Sequence, residues 1–207
     1  MGQNQQLDLS QVGRAFDDPV MGAQSAFTSA MWALSRPGFV RTMPHLDDAP
    51  VGLSSAITAL LLTLIDFETP LWLPPLLAQG NVGSYLRFHT GAPLVTNPQA
   101  AMFAVSSGAE AAALTGMLNC GEDRYPDRSA TMFVDVPGLA GGPAITLSGP
   151  GVNGSVAMAP QGLGQDFFAR MAENHRLYPL GVDCFLCSGD EVIGLPRTTK
   201  FFLDERV

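Results

Sequence analysis

The chain has 207 residues and a mass of 21.9 kDa, a length typical of one domain or two small ones. It carries 19 acidic against 11 basic residues, a net charge of −8. This balance argues against general binding of nucleic acid or anionic membranes, because both require a basic face. Only 14% of the residues are charged, against about 25% in a typical soluble domain. Either uncharged polar residues cover the surface or a partner protein covers part of it, and we favour the partner.

Cysteine content and the apolar segments indicate the cellular compartment. The three cysteines are an odd number and do not form a disulfide framework. The first twenty residues carry Asp8, Asp17 and Asp18 and no long apolar run, which argues against a secretory signal. The longest apolar stretch, residues 56–65, is too short to span a bilayer. We therefore expect a cytoplasmic protein with reduced thiols and no membrane association.

The N-terminal part of the chain predicts an arm followed by a helix. Residues 1–16 are rich in Gln and lack periodicity, so they predict a loose N-terminal arm before a single α/β domain at residues 17–207. Asp17 and Asp18 are suitable helix caps, and Pro19 is suited to a first helical turn. Apolar residues then follow at helical spacing until Pro37-Gly38, namely Val20, Ala23, Phe27, Met31 and Leu34.

Helical and strand patterns alternate along the rest of the chain. Further helices are predicted at residues 54–65, 81–90, 108–118 and 164–176. Strands are predicted at residues 39–43, 71–73, 102–105, 130–136, 144–147, 181–187 and 192–195, the last two as a hairpin. Residues 120–129 form a polar turn region. The interleaved order predicts an α/β fold with a mixed β-sheet flanked by helices.

A glycine-rich segment, residues 149–154, has the spacing G-x-G-x-x-G after a predicted strand. In dinucleotide-binding proteins such glycines open a helix whose amides hold a pyrophosphate. Here the following residues include Pro160 and lack helical periodicity, and no acidic residue stands about twenty positions further on. The segment therefore predicts a turn between strands.

The single lysine and the pair of nearby cysteines are weak candidates for a functional site. Lys200 is the single lysine and lacks the glycines of a phosphate cradle, so a solvated side chain is favoured over a Schiff-base residue. Cys184 and Cys187 have metal-like or redox-like spacing, but a predicted strand places them on opposite faces. Buried cysteines without a metal are therefore expected.

Two short arginine clusters carry the best candidate chemistry. A bidentate guanidinium, hydroxyl donors and an imidazole are the groups that bind a phosphate or triphosphate. The candidate phosphate-ligand residues are Arg87, His89, Thr90, Arg197, Thr198 and Thr199. The structural alternative is that both arginines hold loops by binding backbone carbonyls or fixed acids.

Several longer segments, in order, resemble one known family. They are Leu34-Ser35-Arg36-Pro37-Gly38, residues 61–66, Thr69-Pro70-Leu71-Trp72-Leu73, residues 86–95, Pro179-Leu180-Gly181-Val182-Asp183 and Pro196-Arg197-Thr198-Thr199. Over about residues 17–203 the chain resembles the H subunits of the bacterial carbon–phosphorus lyase system, which degrades phosphonates.

The resemblance implies a fold similar to the large domain of pyridoxal-phosphate-dependent transferases, without the cofactor or its lysine. It implies no cofactor, a homodimer for the isolated subunit, and a core complex with the G, I and J subunits. With the I, G and L subunits, the H subunit supports replacement of the adenine of ATP by methylphosphonate. The product is α-D-ribose 1-methylphosphonate 5-triphosphate, whose carbon–phosphorus bond the J subunit, a radical iron–sulfur enzyme, later breaks.

Three functions follow as hypotheses. The first is an accessory subunit of the phosphonate-degrading machinery that is not catalytic alone, since the family offers no catalytic residue to transfer to this chain. The second is a subunit that binds phosphate or nucleotide directly through the clusters around Arg87 and Arg197. The third, a pyridoxal enzyme using Lys200, is the least supported.

Overall fold

The computed structural model describes residues 13–202, which contain six α-helices and ten β-strands. The helices are α1 (Pro19–Ser35), α2 (Ser55–Leu64), α3 (Pro75–Gln79), α4 (Asn81–Thr90), α5 (Ala111–Thr115) and α6 (Gln165–Arg176). The strands are β1 (Val40–Thr42), β2 (Leu71–Trp72), β3 (Leu94–Val95), β4 (Phe103–Ser107), β5 (Thr131–Asp135), β6 (Ile145–Ser148), β7 (Val156–Met158), β8 (Asp183–Ser188), β9 (Glu191–Leu195) and β10 (Lys200–Phe202).

Seven strands form the main sheet in the order β1-β9-β8-β5-β4-β2-β3. Neighbouring strands from β8 to β3 run parallel to each other. At the other end of the sheet, β9 is antiparallel to both of its neighbours, β8 and β1. This arrangement confirms the mixed sheet flanked by helices. The remaining strands form a separate antiparallel sheet, β10-β6-β7, which the sequence patterns did not separate from the main one.

The main sheet divides the core into two layers because alternate side chains of each strand face opposite sides. Phe133 of β5 packs in a layer with α1, α2 and α4, called here the α2 face. Its neighbours Met132 and Val134 pack in a layer with α5, α6 and the small sheet, called the α6 face. Both faces are covered, which explains why β4, β5 and β8 are apolar at successive positions.

Local signals place the ends of the longer helices. The Asp18 carboxylate accepts hydrogen bonds from the backbone N–H groups of Val20 and Met21, at 3.0 Å each, and caps α1. Ser54 caps α2 in the same way. Gly91 ends α4 in the left-handed conformation, with φ of 71°, which a side chain disfavours. The predicted helices at these three places are confirmed.

Other predicted elements differ from those in the structure. The helix predicted at residues 108–118 is limited to α5, with turns at residues 108–110 and 116–117 on either side of it. Helix α3 and strands β3, β7 and β10 had no predicted counterpart. Each has five residues or fewer, and such short strands are defined by their pairing partners rather than by local pattern.

Only residues 13–16 of the predicted N-terminal arm belong to the described part of the chain. Residues 13–16 run along the α2 face, where Phe16 packs against the core and Arg14 forms an ion pair with Asp48. Residues 1–12 of the predicted arm and residues 203–207 of the predicted domain lie outside the described residues. None of the helices between residues 13 and 202 combines the length and apolar character that crossing a membrane requires.

Candidate functional site

Arg197, just beyond β9, is the most heavily bonded cation among the described residues. Its Nε and Nη2 donate to the two carboxylate oxygens of Asp183, at 3.1 and 2.6 Å. Nη1 donates to the carbonyl oxygens of Pro126 and Pro179, at 2.8 and 3.3 Å, and Nη2 also donates to the Ser129 hydroxyl. These bonds engage all five N–H groups of the guanidinium within the protein.

The position of Arg197 follows from the direction of its strand. Because β9 runs antiparallel to β8, its end lies beside the start of β8, where Asp183 stands, and near Ser129, which precedes β5. Ligands of open α/β sheets bind outside the carboxyl ends of the parallel strands. Arg197 lies at the opposite, amino edge, where it joins the loops that lead into β5 and β8.

The residues after Arg197 complete a tight turn. The Thr199 backbone N–H donates to the carbonyl oxygen of Pro196 at 2.8 Å. Thr199 is buried, and its hydroxyl has no hydrogen-bond partner among the residues that the structure describes. Thr198 is half-buried in the same turn. His175 of α6 contacts the carbonyl oxygen of Arg197 through Nδ1, at 3.2 Å, which ties the turn to that helix.

The second cluster occupies the last turn of α4. Arg87 is exposed, and it donates from Nε to the Gly83 carbonyl oxygen at 3.1 Å and from Nη2 to the Ala78 carbonyl oxygen at 3.3 Å. The Thr90 hydroxyl donates to the Leu86 carbonyl oxygen at 2.7 Å. These bonds are local, and no acidic partner of Arg87 is present between residues 13 and 202.

His89 fastens the start of the described chain to α4. A backbone carbonyl can only accept, so Nε2 of His89 carries the proton and donates to the Gly13 carbonyl oxygen at 2.9 Å. The neighbouring Tyr85 hydroxyl donates to the Arg14 carbonyl oxygen at 3.0 Å. Burial raises the pKa of Tyr85 to about 12, so the hydroxyl remains a donor. His89 therefore holds protein backbone in this structure.

The structure does not bring the two predicted clusters together. Helix α4 packs on the α2 face and leads into β3, at one edge of the main sheet. Arg197 follows Leu195, whose side chain packs on the α6 face, and its strand lies next to the other edge. The hydrogen-bond partners of Arg87 and Arg197 have no residue in common.

A third charged cluster, not found by sequence reasoning, adjoins a cavity of about 320 Å³ beside the start of α1, and His45, Asp47 and Asp48 line this cavity. Nδ1 of His45 lies 2.8 Å from both carboxylate oxygens of Asp190, and its Nε2 lies 3.4 Å from Asp47. Hydrogen bonding to Asp190, then its charge, raises the pKa of His45. Hydrogen bonds from Arg14 lower the pKa of Asp48 at the same cavity. No sequence signal relates His45 to Asp190, which is 145 positions away.

The cysteine pair, the glycine-rich segment and Lys200 lie in the structural positions that the sequence predicts for them. Cys184 packs on the α6 face and Cys187 on the α2 face, both buried, and burial raises the pKa of each thiol. The glycine-rich segment at residues 149–154 is a loop between β6 and β7. Lys200 is exposed on β10. Across residues 13–202, no three His, Cys, Asp or Glu side chains are grouped so that they could hold a metal ion.

Comparison with known proteins identifies the family. The sequence model described as bacterial phosphonate metabolism protein (PhnH) matches residues 14–201. A relative from Rhizobium meliloti (strain 1021), α-D-ribose 1-methylphosphonate 5-triphosphate synthase subunit PhnH, is 37% identical over 186 residues, which cover 90% of this chain and 93% of the relative. The putative C-P lyase subunit protein HtxG of Stutzerimonas stutzeri is 33% identical over 180 residues, 87% of this chain and 86% of the relative. The chain therefore belongs to the PhnH family of bacterial phosphonate metabolism proteins.

Proposed function

We propose that this chain is a subunit of the carbon–phosphorus lyase machinery and that it supports formation of α-D-ribose 1-methylphosphonate 5-triphosphate from ATP and methylphosphonate. The observation that carries the proposal is the match with the Rhizobium meliloti synthase subunit, which spans nearly the whole of both chains. Similarity along the full length, rather than in one segment, favours a shared role.

Within that machinery the role is accessory. The best-formed cluster, around Arg197, has its guanidinium donors engaged by protein groups. The three cysteines are half-buried or buried, and burial raises the pKa of each, which disfavours the thiolate that a nucleophile requires. These features support a subunit that contributes surface and shape, while its partners contribute the reacting groups.

The partners that we propose are the G, I and J subunits, in the cytoplasm, with a homodimer when the chain is isolated. The charged fraction of 14% supports this, because a surface with few charges is better suited to burial in an assembly. The fold is proposed to be similar to the large domain of pyridoxal-phosphate-dependent transferases, and no cofactor is expected.

The test is co-purification. The tagged chain is expressed with its G, I and J partners, and the eluted species are weighed by native mass spectrometry. A stable assembly that contains all four chains supports the proposal. A strain that lacks this chain should also fail to grow on methylphosphonate as phosphorus source, and the wild-type chain should restore growth. Elution of the chain without partners, together with unimpaired growth of the deletion strain, would contradict it.

A direct ligand role remains a second candidate because Arg87 is exposed and has no acidic partner within residues 13–202. Arg87→Ala tests it, and Arg176→Ala, another exposed arginine at the end of a helix, is the matched control. If Arg87 holds phosphate, Arg87→Ala lowers synthase activity while the assembly keeps its mass. Equal activity of the two variants would eliminate this ligand hypothesis.

A further inference from the structure

Two arginines flank one tryptophan where α1 ends and β1 begins. The guanidinium carbons of Arg36 and Arg41 lie 5.0 and 5.4 Å from the centre of the Trp32 ring. Both arginines are exposed, whereas Trp32 is half-buried on α1. A guanidinium at such a distance is attracted to an aromatic ring, so the ring holds both cations at one place on the surface. These three side chains are called here the arginine–tryptophan cluster.

The two guanidinium groups of this cluster have few partners within the protein. Arg36 donates from Nη1 to the Ser35 hydroxyl at 3.3 Å, and Arg41 donates from Nε to the Ser29 hydroxyl at 3.4 Å. Among the described residues these are their only side-chain hydrogen bonds, and no carboxylate lies within ion-pair distance of either. Each guanidinium therefore keeps four of its five N–H groups for another acceptor, in contrast to Arg197.

The segments around the cluster carry no negative charge. Residues 19–46, which contain the cluster, include no Asp or Glu, and residues 136–165 include no charged residue, although the net charge of the chain is −8. Glu191 on the neighbouring strand β9 lies opposite Thr42, so its side chain faces the other side of the sheet from that of Arg41. The cluster is therefore a locally positive place on an acidic protein, and its charge favours an anionic ligand.

The glycine-rich loop between β6 and β7 packs against the backbone beside the cluster. A Cβ on Gly151 would lie 2.1 Å from the Ser35 carbonyl oxygen. A Cβ on Gly38 would lie 2.8 Å from the side chain of Val156, at the start of β7. Neither approach has room for a side chain, so both glycines allow the loop to lie next to the segment that carries Arg36.

The same loop offers backbone donors. Gly151 and Gly154 have φ of 86° and 77°, in the left-handed region that favours glycine. The backbone N–H groups of Gly151, Asn153 and Gly154 donate to no acceptor among the described residues. Loops that combine left-handed residues with such N–H groups form concave sites for anions. The glycine spacing of residues 149–154 can therefore serve an anion without a helix after it.

We propose that the arginine–tryptophan cluster and the glycine-rich loop form a site for a phosphorus oxyanion, with the triphosphate of a nucleotide as its ligand. Arg36 and Arg41 bind the oxygen atoms through bidentate hydrogen bonds, and the loop adds neutral N–H donors. The inference rests on the proposed function, whose two substrates, ATP and methylphosphonate, both carry such a group. A triphosphate is favoured because it offers oxygen atoms to two guanidinium groups at once.

The location of this site is consistent with an accessory subunit. It lies beside β1, the antiparallel edge strand of the main sheet, so it is separate from the carboxyl ends of the parallel strands. Its groups hold and orient a ligand, and none of them is a nucleophile or a metal ligand. The reacting groups remain those of the partner subunits.

The first experiment measures binding of inorganic tripolyphosphate and of ATP to the full chain by isothermal titration calorimetry. Arg36→Gln and Arg41→Gln should each weaken binding of both by about tenfold or more, because each removes charge-assisted hydrogen bonds. Arg176→Gln is the matched control, since Arg176 is also an exposed arginine at the end of a helix, and it should bind as the wild type does. Methylphosphonate should compete only at higher concentration than tripolyphosphate.

The second experiment tests the loop with two glycine variants. A Cβ on Gly154 or on Gly189 would meet no atom within 4 Å, and both residues have positive φ, 77° and 55°. Alanine therefore strains the backbone at either position without a clash. Gly154→Ala should weaken tripolyphosphate binding severalfold. Gly189→Ala, in the turn between β8 and β9, should lower the thermal midpoint to a similar extent and leave binding unchanged.

Several outcomes would overturn the proposal. They are no binding of tripolyphosphate to the wild type at millimolar concentration, equal weakening by Arg176→Gln, and equal weakening by the two glycine variants. Stronger competition by methylphosphonate would overturn the assignment of the triphosphate. If Arg36→Gln and Arg41→Gln prevent co-purification with the G, I and J subunits while tripolyphosphate does not bind, an acidic partner segment occupies the cluster instead. Failure of the proposed function is separate, because growth of the deletion strain on methylphosphonate measures it.

Discussion

Arg197 and Arg87 have the same chemistry and opposite surroundings. The Arg197 side chain is 14% exposed and reaches groups in three separate segments, around residues 126–129, 179 and 183. Arg87 is exposed and donates only to carbonyl oxygens four and nine positions before it. Arg197 joins parts of the chain that are distant in sequence. Arg87 lies on the surface and binds only nearby backbone.

This contrast teaches that a ligand-like residue pattern does not distinguish a binding site from a structural junction. Both clusters place a guanidinium beside hydroxyls, and both were equally good candidates by sequence. The two clusters differ in how many guanidinium N–H groups donate to oxygen atoms of the protein. Five of five are engaged for Arg197, so phosphate would have to displace existing bonds there.

The largest loss of stability is expected for Arg197→Ala. This change leaves the Asp183 carboxylate, 23% exposed, without its cation and frees the carbonyl oxygens of Pro126 and Pro179. The free energy of unfolding should fall by about 3 kcal/mol, as for other largely buried ion pairs that lose one partner. Urea denaturation measures this loss. A fall of less than about 1 kcal/mol would show that Arg197 does not hold these loops together.

A smaller loss of stability is expected when the hydrogen bonds to the backbone of Gly13 and Arg14 are removed. His89→Ala eliminates the bond to the Gly13 carbonyl oxygen, and Tyr85→Phe eliminates the bond to the Arg14 carbonyl oxygen. Each should lower the free energy of unfolding by about 1 kcal/mol. Trypsin should also cleave after Arg14 faster than in the wild type. Unchanged cleavage in both variants would show that α4 does not hold this segment.

Arg87→Ala should change stability little, which is the counterpart of the Arg197 result. Its bonds are local and exposed, so the free energy of unfolding should stay within about 0.5 kcal/mol of the wild type. The same urea titration measures this difference. A loss as large as that of Arg197→Ala would remove the distinction between the two clusters.

The smallest effect on stability is expected from the pair formed by exposed His45 and half-buried Asp190. The pKa of His45 is raised in the folded chain, so its contribution to stability is present below the pKa of the unfolded chain, about 6.5. That contribution is lost as pH rises through the higher folded-state pKa. His45→Gln should therefore reduce the difference in thermal midpoint between pH 6 and pH 8. An identical pH profile in both proteins would exclude this contribution.

Much of the fold was predictable because its signals are local. Asp18 and Pro19 mark the start of α1, Gly91 marks the end of α4, and the alternation of β8 places Cys184 and Cys187 on opposite faces. The fold resembling pyridoxal-dependent transferases stays a prediction. The short strands β3, β7 and β10 were not predictable, because two or three residues carry no periodicity and depend on the strands beside them.

The candidate site was less predictable than the fold. The residue types in both arginine clusters were identified, but the partners of Arg197 come from segments up to 71 positions away. The cluster of His45 and Asp190 was not found for the same reason, since neither residue has a neighbour in sequence that signals the other.

Sequence alone established the α/β class and the start and end of the long helices, because each depends on patterns within a few tens of residues. It also established the family, from similarity that extends over residues 14–201. Tertiary structure decided which arginine is engaged by the protein and which is exposed. It also decided that the larger apolar side chains of α1 face outwards while its alanines face the core. Helical periodicity shows that residues share a side of a helix, but the elements packed against the helix determine whether that side is buried.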